Sequence, residues 1–129
     1  MDRKFNRQVQ EIKNILIIDD NQSISNLLSR FLNLKNIEHT ISSSGQNGLS
    51  LIRQGRFDVI LLDLNMPNFS GYDVIDSLEK EGRVKDENIF VFTATNIEKS
   101  EEENLLKRGI LSCVKKPIRV DELLKLIGI

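Results

Sequence analysis

Three carboxylates stand where a carboxylate is costly. Asp63 closes the apolar run Phe57-Asp58-Val59-Ile60-Leu61-Leu62, and Asp19-Asp20 close a second run, Ile15-Leu16-Ile17-Ile18. An ionised group at the end of a buried strand is tolerated where that end opens into a polar pocket. If the three side chains meet at ~5 Å, each pair repels by roughly 3 kcal/mol at an effective dielectric of about 20. A hard divalent cation relieves that repulsion. Mg2+ (or Mn2+) suits an open site of carboxylates, waters and a phosphoryl oxygen. With one His and one Cys in the whole chain, a zinc or copper site has too few ligands.

A carboxylate beside such a cation can attack a phosphoryl group and form an aspartyl phosphate. Asp63, alone at the end of its strand, is the natural nucleophile. Thr93 can hydrogen-bond a phosphoryl oxygen, Ala94 leaves room for the incoming group, and Lys116 offsets its negative charge. Each has a plainer role taken singly: Asp19 or Asp20 as a helix N-cap, Thr93 as a strand end, Lys116 as a solvated charge. Two acids after one buried strand exceed the need for a cap. Asp63 has the weakest plain role, because Asp is depleted in strands and seldom buried unpaired.

These residues need elements to position them. Ile15 to Ile18 reads as a buried strand, and Ile24, Leu27, Leu28, Phe31 and Leu32 repeat as one face of a helix. A short strand over Ile37 to Ile41 and a helix from Gly45 to Arg53, stopped near Gly55, follow. Phe57 to Leu62 is the central strand. Ser70 to Asp73 resembles a capping box opening a helix with Val74, Ile75 and Leu78 on its buried side. Ile89 to Phe92 is a fourth strand, and a polar helix begins near Asn96 or Ser100 and ends before Gly109. Leu111 to Val114 is a fifth strand, and Val120, Leu123, Leu124 and Ile127 mark a last helix.

Five strand-helix repeats with continuous apolar strands require a parallel sheet covered on both faces, a doubly wound α/β sandwich. Its site lies at the carboxyl ends of the strands, where Asp19, Asp20, Asp63, Thr93 and Lys116 all fall.

The 129 residues fit one domain, with residues 14–129 as its body and residues 1–13 as an extension, frayed or a short helix carrying Phe5, Val9 and Ile12. A net charge of −1 argues against direct nucleic-acid binding. The lone Cys113 and the lack of an apolar run near ~18 residues fit a cytoplasmic protein with no disulfide and no membrane insertion.

From Asn14 to Ile129 the chain resembles the receiver domains of two-component response regulators. The motifs are Ile-Leu-Ile-Ile-Asp19-Asp20, Leu-Leu-Asp63-Leu-Asn-Met66-Pro67-x-x-x-Gly71, Phe-Thr93-Ala94 and Lys116-Pro117. The resemblance implies a flavodoxin-like (βα)5 fold with strand order 2-1-3-4-5. It implies a phosphoacceptor at Asp63, charged from a histidine kinase or a His-containing phosphotransfer protein. Asp19 or Asp20, Asp63 and the backbone carbonyl of Asn65 would hold Mg2+, and Thr93 and Lys116 would bind the phosphoryl group. The Lys116-Pro117 bond is expected to be cis, with Lys116 aimed inward. Asn65 and Thr95 occupy positions that in receiver domains influence how water reaches the acyl phosphate.

The sequence departs from the family in the fifth strand, where Cys113 replaces an aromatic that usually changes rotamer with the threonine. Cys113 is expected to be a small buried filler. Output is expected through a separate protein docking on the face of the fourth helix, fifth strand and last helix. Glu98, Glu101, Glu102 and Glu103 there read as a solvated helix start or as an acidic partner surface. The leading expectation is a stand-alone phosphorylation switch or phosphate relay, a phosphoacceptor rather than an enzyme with an external substrate. The alternatives are a degenerate receiver acting as a constitutive interaction module and, less favoured, a haloacid-dehalogenase-like phosphatase. The latter needs an acid where this chain has Asn65.

Overall fold

The computed structural model describes residues 14–94, 96–117 and 119–128, so the expectations for the 1–13 extension and Thr95 lie outside it. Five strands, β1 (Asn14–Ile18), β2 (Glu38–Ser42), β3 (Val59–Asp63), β4 (Ile89–Thr93) and β5 (Ser112–Lys115), form one sheet in the order β2-β1-β3-β4-β5. Every described pairing is parallel. The helices are α1 (Gln22–Leu34), α2 (Gly45–Gln54), α3 (Gly71–Lys80), α4 (Lys99–Arg108) and α5 (Val120–Ile127), with a 3-10 turn at Val84–Asp86. This is the doubly wound α/β sandwich expected from the alternating periods, in the flavodoxin-like strand order that the resemblance implies.

The alternation of side chains along each strand splits the core in two. Leu16, Ile18, Ile60, Leu62 and Val91 join Leu49, Ile52, Val74, Ile75, Leu78 and Leu105 beneath α2, α3 and α4. Ile15, Ile17, Val59, Leu61, Phe90 and Phe92 join Leu28, Leu32, Leu123, Leu124 and Ile127 beneath α1 and α5. Fully covered strands explain why the sequence shows runs rather than alternation there.

Several boundaries differ from the periodicity. Phe57 and Asp58 precede β3 rather than opening it. The Asp58 carboxylate accepts the Asn14 N–H at 2.9 Å, and its own N–H donates to the Asn14 carbonyl at 2.8 Å, so they fasten the strand start from outside the ladder. β2 and β5 each begin one residue later than expected, and α4 begins at Lys99, between the two starts considered. Apolar runs mark burial, and burial extends past the last ladder bond at either end.

The caps are local. Asn21, not Asp19 or Asp20, caps α1 through its side-chain oxygen, which frees both acids from that role. Ser70 and Asp73 form the expected capping box of α3. Gly71 is dictated by space, because a Cβ there would sit 2.4 Å from the Asp63 carbonyl oxygen. Gly109 ends α4 at φ 112°, a left-handed conformation that favours glycine.

Candidate functional site

The chain turns at the carboxyl ends of β1, β3, β4 and β5 bring the predicted residues together. Asp63 is the last residue of β3 and Thr93 the last of β4, while Asp19 and Asp20 follow β1 and Lys116 follows β5. Asp19, Asp63 and Thr93 are buried, and Asp20 is exposed at the rim. One carboxylate oxygen from each of Asp19, Asp20 and Asp63 lies within 4.8 Å of the others.

Lys116 reaches into this group. Its Nζ stands 3.3 Å from Asp19 Oδ2 and 3.3 Å from Asp63 Oδ2, and 5.3 Å from the centre of the Phe92 ring. The Lys116-Pro117 peptide bond is cis, as expected, and the Lys116 N–H donates to the Thr93 carbonyl at 2.8 Å. Lys116 therefore bridges β4 and two acids rather than serving as a solvated charge.

Asp19 carries the electrostatic cost. Burial raises its carboxyl above the usual range, opposed by the Asn21 N–H; the neighbouring Asp63 raises it further and Lys116 lowers it. Asp19 Oδ1 accepts that N–H at 2.9 Å. Asp19 Oδ2 is buried without a hydrogen-bond partner among the described residues and pairs with the Lys116 ammonium. Three carboxylates against one ammonium leave an excess of two negative charges, which a cation would offset. The donors are all hard oxygens, so the residues present fit Mg2+ or Mn2+.

Asn65 is the residue the sequence undersold. Its N–H donates to Asp63 Oδ1 at 3.0 Å, while its side-chain Oδ1 accepts the Thr93 hydroxyl at 2.6 Å and the Ala94 N–H at 3.0 Å. From the sequence, only its backbone carbonyl and its position are expected to matter. A polar residue two places beyond a strand-end acid was the available signal, because that spacing returns a side chain to the same rim.

Cys113 corrects an expectation. It is half-buried rather than enclosed, lying against the core beneath α3 and α4 near Tyr72. β5 is an edge strand, so part of its face stays open. Burial, with Glu102 and Glu101 nearby, pushes the thiol up to about 11. The acidic start of α4 is also not wholly solvated. Glu101 accepts the Tyr72 hydroxyl and Glu102 is half-buried, while Glu98 and Glu103 are exposed. At the other end of α4, Arg108 pairs with Asp76 at 2.5 Å and Glu79 at 2.9 Å on α3, a tie the sequence did not announce.

Among the described residues no helix is long and apolar enough to cross a membrane.

Comparison with known proteins adds the family. Residues 15–128 match the response regulator receiver domain. The chain is similar to a response regulator receiver protein of Anaeromyxobacter sp., 28% identical over 115 residues, covering 89% of this chain and 47% of that protein. It thus spans about half the length of that relative. The Francisella response regulator 1452 receiver domain shares the fold, with a TM-score of 0.80, 24% identity and coverage of 90% of this chain and 93% of that one. TrrA of Thermotoga maritima, solved in complex with Mg2+-BeF, has a TM-score of 0.71 and 29% identity over 88% of this chain and 95% of that one. With the family's motifs on one rim of the family's fold, this chain belongs to the response regulator receiver domains.

Proposed function

We propose that the domain is a phosphorylation switch charged on Asp63, and that it takes its phosphoryl group from a phosphohistidine on a kinase or phosphotransfer protein. The observation that carries this reading is the buried Asp63 carboxylate, held beside Asp19 with Lys116 Nζ at 3.3 Å from both. In the step, an Asp63 carboxylate oxygen forms the new O–P bond as the N–P bond of the donor breaks. The electron pair stays on the departing imidazole nitrogen, which takes up a proton.

Asp19, Asp20, Asp63 and the Asn65 backbone carbonyl would hold Mg2+. When bound, the ion neutralises charge on the transferring group and on the acids around it. The chain's own residues do the rest. Lys116 offers positive charge to a phosphoryl oxygen from a position already fixed by two carboxylates. The Thr93 hydroxyl and the Ala94 N–H are donors at the same rim. Ala94 is exposed and adds no bulk there.

No external substrate is turned over, since the carboxyl required of a phosphatase acid is replaced by the Asn65 carboxamide. Output is assigned to a separate protein that docks on α4, β5 and α5. That face offers Glu98 and Glu103 beside the exposed Leu106, with Leu126 exposed on α5. The test uses phosphoramidate, a small N–P donor, with Mg2+. One phosphoryl group should be taken up by the wild type and none by Asp63→Asn or in excess EDTA. Uptake by Asp63→Asn equal to the wild type would refute the assignment.

A further inference from the structure

The orientation of the Asn65 carboxamide is fixed by its neighbours. A backbone N–H can only donate, so the atom 3.0 Å from the Ala94 nitrogen is the oxygen. That oxygen can only accept, so the Thr93 hydroxyl, 2.6 Å away, donates to it. Both lone pairs of Asn65 Oδ1 are therefore engaged by two consecutive residues at the end of β4. These are the donors through which an incoming phosphoryl oxygen would be bound under the function proposed above, on which this inference rests.

We infer that Asn65 is a positioning residue that regulates charging: its carboxamide oxygen occupies the Thr93 and Ala94 donors in the uncharged protein and competes with the phosphoryl group for them. Charging is then an exchange of acceptors. The Thr93 hydroxyl and Ala94 N–H leave Asn65 Oδ1 and turn to a phosphoryl oxygen, while Asn65 is released toward solvent, where it already lies exposed. Its N–H stays on Asp63 Oδ1 at 3.0 Å, so the side chain can let go without the strand end moving. Asn65 thus links acceptor and donors through a single residue.

The exchange sets a threshold. A phosphoryl group has to outbid an internal acceptor that is tethered and already in place, so charging is weaker than the donors alone would allow. Removing the competitor should strengthen binding of any phosphoryl mimic. A merely structural Asn65 would weaken it or leave it unchanged.

The experiment measures the dissociation constant of beryllofluoride with Mg2+ by calorimetry for wild type, Asn65→Ala, Asn65→Asp, Thr93→Ala and the Asn65→Ala/Thr93→Ala pair. Asn65→Ala should bind about tenfold more tightly, equivalent to about 1.4 kcal/mol. Asn65→Asp keeps an acceptor in place and should show none of that gain. In the Thr93→Ala background only the Ala94 amide remains to be released, and the gain should fall to about threefold. Exchange of the Ala94 amide proton should quicken in uncharged Asn65→Ala. Equal or weaker binding by Asn65→Ala, in a wild type that binds normally, overturns the inference and leaves the proposed function standing. A wild type that binds no beryllofluoride overturns both.

Discussion

The hydroxyl of Tyr72, in the first turn of α3, donates to the carboxylate of Glu101, in the first turn of α4. Tyr72 follows Gly71, which is pressed against the Asp63 carbonyl, so Gly71 and Tyr72 together connect the end of β3 to α4. At the far end of the same helix pair, Arg108 binds Asp76 and Glu79. α4 is thus fastened to α3 at both ends, and the site end of that fastening lies next to Cys113.

Replacing Tyr72 by Phe removes the hydroxyl and leaves Glu101 half-buried without that donor. The loss should be about 1 kcal/mol, read as a lower urea midpoint at constant slope. Tyr72 is the sole tyrosine in a chain without tryptophan, so its ultraviolet absorbance reports on this contact alone. Burial, and then Glu101, raise its ionisation above the ordinary tyrosine value. Glu101→Gln should bring the absorbance titration down toward lower pH, and an unchanged titration would contradict the contact.

Cys113 should react slowly with maleimide. With the thiol pushed up to about 11 from an ordinary 9.0, its thiolate is scarce at neutral pH. Modification at pH 8 should run about 100-fold slower than for an exposed thiol and keep rising beyond pH 10. The folded thiol holds its proton to higher pH than the unfolded one. Its contribution to stability is therefore complete below pH 9 and is lost as pH climbs through about 11. A rate that levels off near pH 9 would show the thiol to be unperturbed.

Metal removal tests the acidic cluster. Asp19 Oδ2 is buried without a hydrogen bond, so Mg2+ should raise the unfolding temperature of the wild type, by an amount that grows with Mg2+ concentration. At 100 times the dissociation constant the gain should be about 2.7 kcal/mol. Asp19→Asn should lose that response and, in EDTA, be more stable than the wild type because one of three crowded charges is gone. A wild-type melting curve indifferent to Mg2+ would contradict the assignment of the site.

Much of this was legible in the sequence because the strongest signals were violations of ordinary placement. Asp63 and Asp19 are charges at the ends of buried strands, and the runs that precede them define the sheet that gathers them. The sheet order followed from family resemblance, since apolar runs alone do not say which strands are neighbours. Element ends were less visible: Phe57 and Asp58 continue an apolar run yet lie outside the ladder. The Asn65 contacts to Thr93 and Ala94, the Tyr72–Glu101 bond and the Arg108 clamp were not legible. Each joins residues about 30 positions apart through side chains whose types are ordinary on a surface. The half-exposure of Cys113 was not legible either, because the sequence alone does not mark β5 as an edge strand, which is covered on fewer sides.

The proposed switch depends on charging at Asp63. Incubation with acetyl phosphate and Mg2+, followed by intact-mass measurement, should show one added phosphoryl group on the wild type and none on Asp63→Asn. An adduct that persists in Asp63→Asn, or a wild type that stays unmodified, would rule out charging at Asp63.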